Sequence, residues 1–91
     1  MQIGGSVALV TGANRGLGLA FTRELVRRGA AKVYGAARRP DQVTEPGVTP
    51  VALDITDPAQ VAAAAAQCAD VSLLVNNAGV MRAPTSWPFP L

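Results

Sequence analysis

Histidine is absent from this 91-residue sequence, and cysteine, tyrosine and tryptophan each occur only once. The lack of histidine argues against a zinc site and against a Ser-His-Asp triad, so we predict no metal ligands. The one cysteine, Cys68, excludes a disulfide within the chain. These absences disfavour several classes of enzyme before any motif is considered.

Charge is scarce as well, since charged residues make up 15% of the chain and the net charge is only +2. Because the basic residues are scattered and not interleaved with aromatic ones, we expect no nucleic-acid partner. The longest apolar run, Val61–Ala66, is far too short to span a bilayer, and Met1–Gly5 lacks the basic start and apolar core of a signal peptide. We therefore expect no membrane association and a cytoplasmic protein.

Apolar residues, in contrast, make up 49% of the sequence and fall into an alternation of strands and helices. Four β-rich runs are predicted to be strands: Val7–Thr11, Ala31–Ala37, Val51–Ile55 and Val71–Val75. Helices are predicted over Gly16–Arg28 and from Pro58 to about Cys68. This order predicts a Rossmann-like parallel α/β sheet with strand order 3-2-1-4 and flanking helices.

Both helices carry recognisable signals at their ends. Gly29 is predicted to stop the first helix. Asp57 is predicted to cap the second helix, with Pro58 in its first position and Gln60 as the capping-box partner that bonds back to the cap.

The stretch "TGANRGLG", residues 11–18, joins the first strand to the first helix. Gly12 allows a tight turn, Gly16 lets backbone approach a pyrophosphate, and Gly18 lets the helix pack close to the sheet. The spacing is G-x-x-x-G-x-G and not the G-x-G-x-x-G fingerprint, so a purely structural turn is the alternative. Its position between a strand and a helix N-terminus favours phosphate binding.

Together with "LDITD", the end of strand two and "NNAG", this stretch resembles the short-chain dehydrogenase/reductase family. The resemblance implies a pyrophosphate loop, an adenine pocket and a segment that passes the nicotinamide ribose. The implied residues are Gly12, Gly16, Leu17 and Gly18 for the first, Asp54 and Ile55 for the second, and Asn76, Ala78 and Gly79 for the third. A turn at the end of a strand is the alternative role of Asp54, and of the two asparagines that open "NNAG".

The residues after strand two indicate which nicotinamide cofactor is preferred. A site selective for NAD carries an acid there, whereas this chain has Ala37 followed by Arg38 and Arg39. A guanidinium binds a 2′-phosphate through charge-assisted hydrogen bonds, and Arg15 matches the family position of a second basic contact. A solvated strand end is the alternative. The pair of basic positions favours NADP(H) over NAD(H) as the dinucleotide partner.

The family's catalytic Y-x-x-x-K motif, with its serine, has no counterpart in the sequence. The only tyrosine, Tyr34, lies in strand two, and the only lysine, Lys32, precedes it. We therefore predict no catalytic residue in this chain.

The strand pattern ends near residue 80, and prolines dominate the remaining residues. We expect residues 1–80 to form the N-terminal part of a Rossmann NAD(P)-binding domain, truncated after strand four, and residues 81–91 an irregular Pro-rich tail. The fourth strand would then present an unpaired edge, so we expect poor solubility.

The predicted function is that of an N-terminal fragment of an NADP(H)-dependent short-chain dehydrogenase/reductase, a carbonyl/alcohol oxidoreductase, inactive by itself. A non-catalytic NADP(H)-binding module is one alternative. Another is one half of a split enzyme, with a second chain supplying the catalytic half.

Overall fold

The computed structural model describes residues 3–54, 56–76 and 79–82. Its strands are β1 (Val7–Thr11), β2 (Lys32–Ala37), β3 (Val48–Ala52), β4 (Leu73–Asn76) and β5 (Gly79–Arg82). Its helices are α1 (Gly16–Arg27) and α2 (Pro58–Gln67), with a single 3₁₀ turn at Pro40–Gln42. Neither helix in this part of the chain has the length and apolarity that a membrane span requires.

The strands form one sheet in the order β3-β2-β1-β4-β5. The first four are parallel, which confirms the predicted Rossmann-like order 3-2-1-4. β5 was not predicted, and it pairs antiparallel with β4, Leu73 opposite Arg82 and Asn76 opposite Gly79. The expectation that β4 has an unpaired outer edge is therefore wrong, because the chain turns back and hydrogen-bonds to it. Residues 81 and 82 belong to this strand, and the rest of the predicted tail lies outside the described residues.

The sheet buries both faces, as its unbroken apolar strands predict. On one face, α1 contributes Leu25 to a cluster with Val10 and Val33. On the other, α2 contributes Ala64 to a cluster with Leu9 and Leu74. β1 lies between these two clusters, and its Leu9 and Val10 are wholly inaccessible to solvent.

The third strand begins earlier than predicted, at Val48 instead of Val51, and ends at Ala52 instead of Ile55. The pairing of Val48 with Val33 and of Ala52 with Ala37 sets these bounds. Pro50 lies within the strand, where proline usually argues against β structure. An edge strand tolerates proline because it has a hydrogen-bonding neighbour on one side only.

The helix ends follow the predicted signals with one exception. Gly29 has a left-handed φ of 84° and ends α1 in a Schellman arrangement, in which its N–H donates to the Val26 carbonyl and the next N–H to the Leu25 carbonyl. Asp57 caps α2 by accepting from the backbone of residues 59 and 60. The exception is Gln60, whose side chain accepts from the Asp54 N–H at 2.9 Å, because the Asp57 N–H already donates to the Asp54 carbonyl.

Candidate cofactor site

The predicted site residues converge at one edge of the sheet. Because β1 to β4 are parallel, their carboxyl ends share that edge. The glycine loop follows β1, Arg38 follows β2, Asp54 lies just beyond β3, and Asn76 ends β4. β1 is also the strand at which the chain order reverses, with β2 on one side and β4 on the other. Ligands of open α/β sheets bind outside the carboxyl ends at such a switch point.

The glycine loop has the backbone shape that its sequence predicts. Gly12 and Gly16 adopt left-handed φ values of 63° and 61°, which side-chain-bearing residues rarely adopt. Between them, Ala13 is completely buried and its N–H donates to the Ala36 carbonyl at 3.0 Å. The loop is thus anchored to the end of β2, while its two glycines turn the chain into α1.

Gly18 brings the start of α1 against the end of β1. A Cβ atom built at this position would overlap the Gly12 carbonyl group and come within 3.1 Å of the Thr11 oxygen. Only a residue without a side chain permits this approach. The backbone amides of the first helical turn are therefore held close to the switch point.

The N-terminus of α1 differs from that of α2. Arg15 occupies its N-cap position in extended conformation and makes no side-chain capping hydrogen bond, and the first turn carries no acid. In α2, the Asp57 carboxylate satisfies the corresponding amides. The first-turn N–H groups and the helix dipole of α1 therefore favour an anionic group.

Two exposed side chains border the glycine loop. Leu17 is 62% exposed, which is high for a leucine in the first turn of a helix. Arg15 is also exposed. An apolar contact and a cation are thus presented beside the helix N-terminus, although an exposed leucine alone carries little information.

Asp54 and Arg38 lie close enough together to interact. The Thr56 hydroxyl donates to the Asp54 carboxylate at 2.6 Å and the Thr56 N–H donates at 2.9 Å. These bonds, with a smaller contribution from the Arg38 charge, hold the pKa of the Asp54 carboxyl below its ordinary value. Asp54 is therefore an ionised hydrogen-bond acceptor at neutral pH. Its bonds to Thr56 also fit the alternative role predicted for it, that of a turn residue at the end of a strand.

The remaining predicted residues are described only in part. Asn76 and Gly79 are backbone partners at the tip of the β4–β5 hairpin. Ile55 and Ala78 lie outside the described residues.

Two contacts at this edge were not predicted. The Asn14 side chain donates to Gln42 at 3.3 Å, and Thr56 fixes Asp54 through its hydroxyl and its N–H. A threonine two residues after an aspartate is a recognisable turn signal. The Asn14–Gln42 bond has no local signal, because sheet pairing brings together residues that are 28 apart in sequence.

The family model described as short chain dehydrogenase matches residues 6–88. The chain belongs to the short-chain dehydrogenase family. The FabG 3-oxoacyl-acyl-carrier-protein reductase of Salmonella typhimurium is 38% identical to it, over 90% of this chain and 37% of that protein. This chain thus spans about a third of the length of such relatives, and it corresponds to their N-terminal part.

Two solved structures of the family show the same likeness. A short chain dehydrogenase from Burkholderia cenocepacia, in complex with NADP, has a TM-score of 0.80 and 49% identity over 85% of this chain and 33% of its own. A 3-ketoacyl-(acyl-carrier-protein) reductase from Brucella melitensis, complexed with NADH, has a TM-score of 0.65 and 30% identity over 79% of this chain and 34% of its own. Members of the family therefore bind both kinds of nicotinamide dinucleotide at this fold.

Proposed function

We propose that this chain is the dinucleotide-binding part of an NADP(H)-dependent short-chain dehydrogenase/reductase, a carbonyl/alcohol oxidoreductase, and that residues 1–80 are the N-terminal part of its Rossmann NAD(P)-binding domain. The observation that carries the proposal is the glycine loop at the switch point. Its left-handed Gly12 and Gly16 turn the chain into α1, and the contact of Gly18 with Gly12 holds the first helical turn, which no side chain caps, against the end of β1. This shape fits a pyrophosphate, which needs close approach of the backbone and the helix dipole.

Residues around the loop would hold the rest of the cofactor. Arg38 and Arg15 would bind the 2′-phosphate through charge-assisted hydrogen bonds, and Asp54 with Ile55 would receive the adenine. The electrostatic interaction between Arg38 and Asp54 supports this assignment, because adenine and the 2′-phosphate belong to one adenosine group. The segment containing Asn76, Ala78 and Gly79 would border the nicotinamide ribose. The bound dinucleotide would supply or accept the hydride.

We propose that this chain alone does not catalyse turnover, because its one tyrosine is buried and hydrogen-bonded away from the proposed cofactor site. Tyr34 is 2% exposed within β2, and its hydroxyl donates to the Asp70 carboxylate at 2.9 Å. Lys32 lies over the Tyr34 ring, 4.6 Å from its centre. The Tyr34 hydroxyl is thus bonded to residues at and beyond the end of α2, and Lys32 begins β2, at the opposite end of the strand from the carboxyl edge where a carbonyl substrate would lie.

A second candidate is a folded NADP(H)-binding module without catalysis. The observation that favours it is β5, which hydrogen-bonds to the outer edge of β4 and so covers the strand edge that was expected to cause aggregation. Half of a split enzyme, completed by a second chain, would instead need that edge for further sheet strands.

Calorimetric titration of the 91-residue chain with NADP⁺ and NAD⁺ tests the proposal. We expect tighter binding of NADP⁺, and a loss of roughly 10- to 100-fold in NADP⁺ affinity for Arg38→Ala with little change for NAD⁺. Arg28→Ala, at the far end of α1, is the matched control and should change neither affinity. Equal affinities would refute the NADP(H) preference, and no binding of either would refute the binding function.

An assay of NADPH oxidation with a panel of aldehydes and ketones separates the candidates further. Binding without turnover by the chain alone is expected. Turnover that appears on adding a second purified chain would favour the split enzyme, and turnover by the chain alone would contradict the proposed inactivity.

A further inference from the structure

A hydrogen bond between side chains joins the glycine loop to the segment after β2. Asn14 Nδ2 donates to Gln42 Oε1 at 3.3 Å. Asn14 directly precedes Arg15, and Gln42 ends the 3₁₀ turn that comes after Arg38. The bond therefore links the two segments that carry the proposed phosphate-binding cations.

Each partner stands beside a backbone position that is fixed to the core. On the loop side, Ala13 is fully buried and bonded to β2. On the other side, Val43 is 6% exposed, and a Cβ atom at Gly35 would meet its side chain at 2.8 Å. The Gln42 N–H donates to the Arg39 carbonyl, which closes the turn over that anchor. The Ala13 N–H bond to Ala36 joins the loop to the end of β2, and the bond between the Asn14 and Gln42 side chains joins it to the 3₁₀ turn beyond Arg38.

We infer that Asn14 and Gln42 are positioning residues that set the separation of Arg15 and Arg38, and hence the preference for a 2′-phosphate. This inference rests on the NADP(H) function proposed above. Two guanidiniums can bind one phosphate group only if the distance between them is fixed, because hydrogen bonds to the phosphate oxygens are directional. NAD⁺ carries a hydroxyl at the same position and loses little when the two segments separate.

The test measures dissociation constants for NADP⁺ and NAD⁺ with Asn14→Ala, Gln42→Ala and the double variant. Alanine fits at position 14, because the only left-handed φ angles in the described residues belong to glycines. We expect each single variant to lower the NADP⁺/NAD⁺ affinity ratio roughly 3- to 10-fold, the effect of losing one modest hydrogen bond. The double variant should lower the ratio no further, because both changes remove the same bond.

Two further variants separate positioning from a general structural role. Gln67→Ala removes an exposed glutamine at the opposite end of the sheet and should leave the ratio unchanged. The exchanged pair, Asn14→Gln with Gln42→Asn, conserves the combined side-chain length and should restore much of the ratio. Far-UV circular dichroism checks that each variant is folded. Gln42→Ala is the deciding variant, because Gln42 is exposed and its replacement should not disturb the core.

The possible outcomes distinguish a failure of this inference from a failure of the proposed NADP(H)-binding function on which it rests. A wild-type chain that does not prefer NADP⁺ overturns both. A wild-type preference that persists unchanged in Gln42→Ala overturns only the positioning role. Equal losses for NADP⁺ and NAD⁺ also overturn it, since they would show that the bond supports the loop as a whole. Additive losses in the double variant would show that the two residues act separately and not as a pair.

Discussion

Gly18 lies directly against the backbone carbonyl of Gly12, so closely that a Cβ atom would stand 2.6 Å from the carbonyl carbon and overlap its oxygen. The two glycines belong to different elements, one to the first turn of α1 and the other to the loop after β1. Their contact fixes where the helix N-terminus points. The position of the proposed phosphate site therefore depends on the absence of a Cβ atom at Gly18.

Gly18→Ala should destabilise the protein by about 1–3 kcal/mol, because the methyl group must displace backbone and not a flexible side chain. The affinity for NADP⁺ should fall as well, since the first turn of α1 would shift. Urea unfolding and titration measure the two effects. Gly4→Ala is the control: its Cβ meets open space, and we expect a change within about 0.5 kcal/mol. A Gly18→Ala chain as stable as the Gly4→Ala chain would contradict the role of this contact.

Tyr34→Phe should reduce the free energy of unfolding by about 1–2 kcal/mol. The substitution keeps the buried ring but removes the hydroxyl that donates to the Asp70 carboxylate and approaches the Gln67 carbonyl at 3.2 Å. Asp70→Asn retains an acceptor oxygen and should cost less than Tyr34→Phe. Chemical denaturation of the three proteins provides the comparison, and an unchanged midpoint for Tyr34→Phe would show that this link between β2 and the end of α2 contributes no stability.

The stability contributed by Glu24 should depend on pH. Hydrogen bonds from Arg27 and then Arg28 lower the pKa of the Glu24 carboxyl from 4.5 to about 2. Because the folded pKa is below the unfolded one, the contribution is fully present above about pH 4.5 and is lost as the pH falls through about 2.

Glu24→Gln tests this dependence. The difference in melting temperature between wild type and variant should shrink between pH 4.5 and 2. It should also shrink in about 1 M salt, because these groups are exposed and screened. A difference that is constant across this pH range would refute the role of the ion pairs.

Cys68 should resist thiol reagents in the folded protein. Its side chain is wholly buried, and burial raises the pKa of the thiol to about 11. Since the thiolate is the reactive form, labelling at pH near 8 should proceed only through opening of the structure and should be immediate in denaturant. If the proposed function is correct, NADP⁺ should slow the labelling further. Fast labelling without denaturant would contradict the burial of Cys68. The chain has one cysteine, so the measurement needs no background variant.

The sequence predicts the order of the parallel sheet because each of its four strands overlaps a short β-rich run that is bounded by turn residues. It also predicts the glycine loop, since a left-handed φ and a close approach leave glycine as the only suitable residue. These features are local, and a pattern over a few neighbouring residues is enough to specify them. The cap at Asp57 belongs to the same group.

The features that could not be predicted depend on which hydrogen-bonding partner a segment finds in the folded chain. Proline in the run Val48–Ala52 argues against a strand until the run is known to form the edge of the sheet. β5 is short, and its pairing with β4 becomes visible only in three dimensions. Likewise, Gln60 turns to Asp54 because a backbone bond already satisfies the Asp57 N–H.

Because β1 is the central strand, its two neighbouring strands become available at different times during synthesis. β1 pairs with β2 on one side and with β4 on the other, its Leu9 opposite Tyr34 and Leu74. Translation at about 5–20 residues per second leaves the β4 side of β1 without its partner for roughly 3–13 s after β1 is made. The central strand of the sheet thus has only one of its two neighbouring strands until β4 has been synthesised.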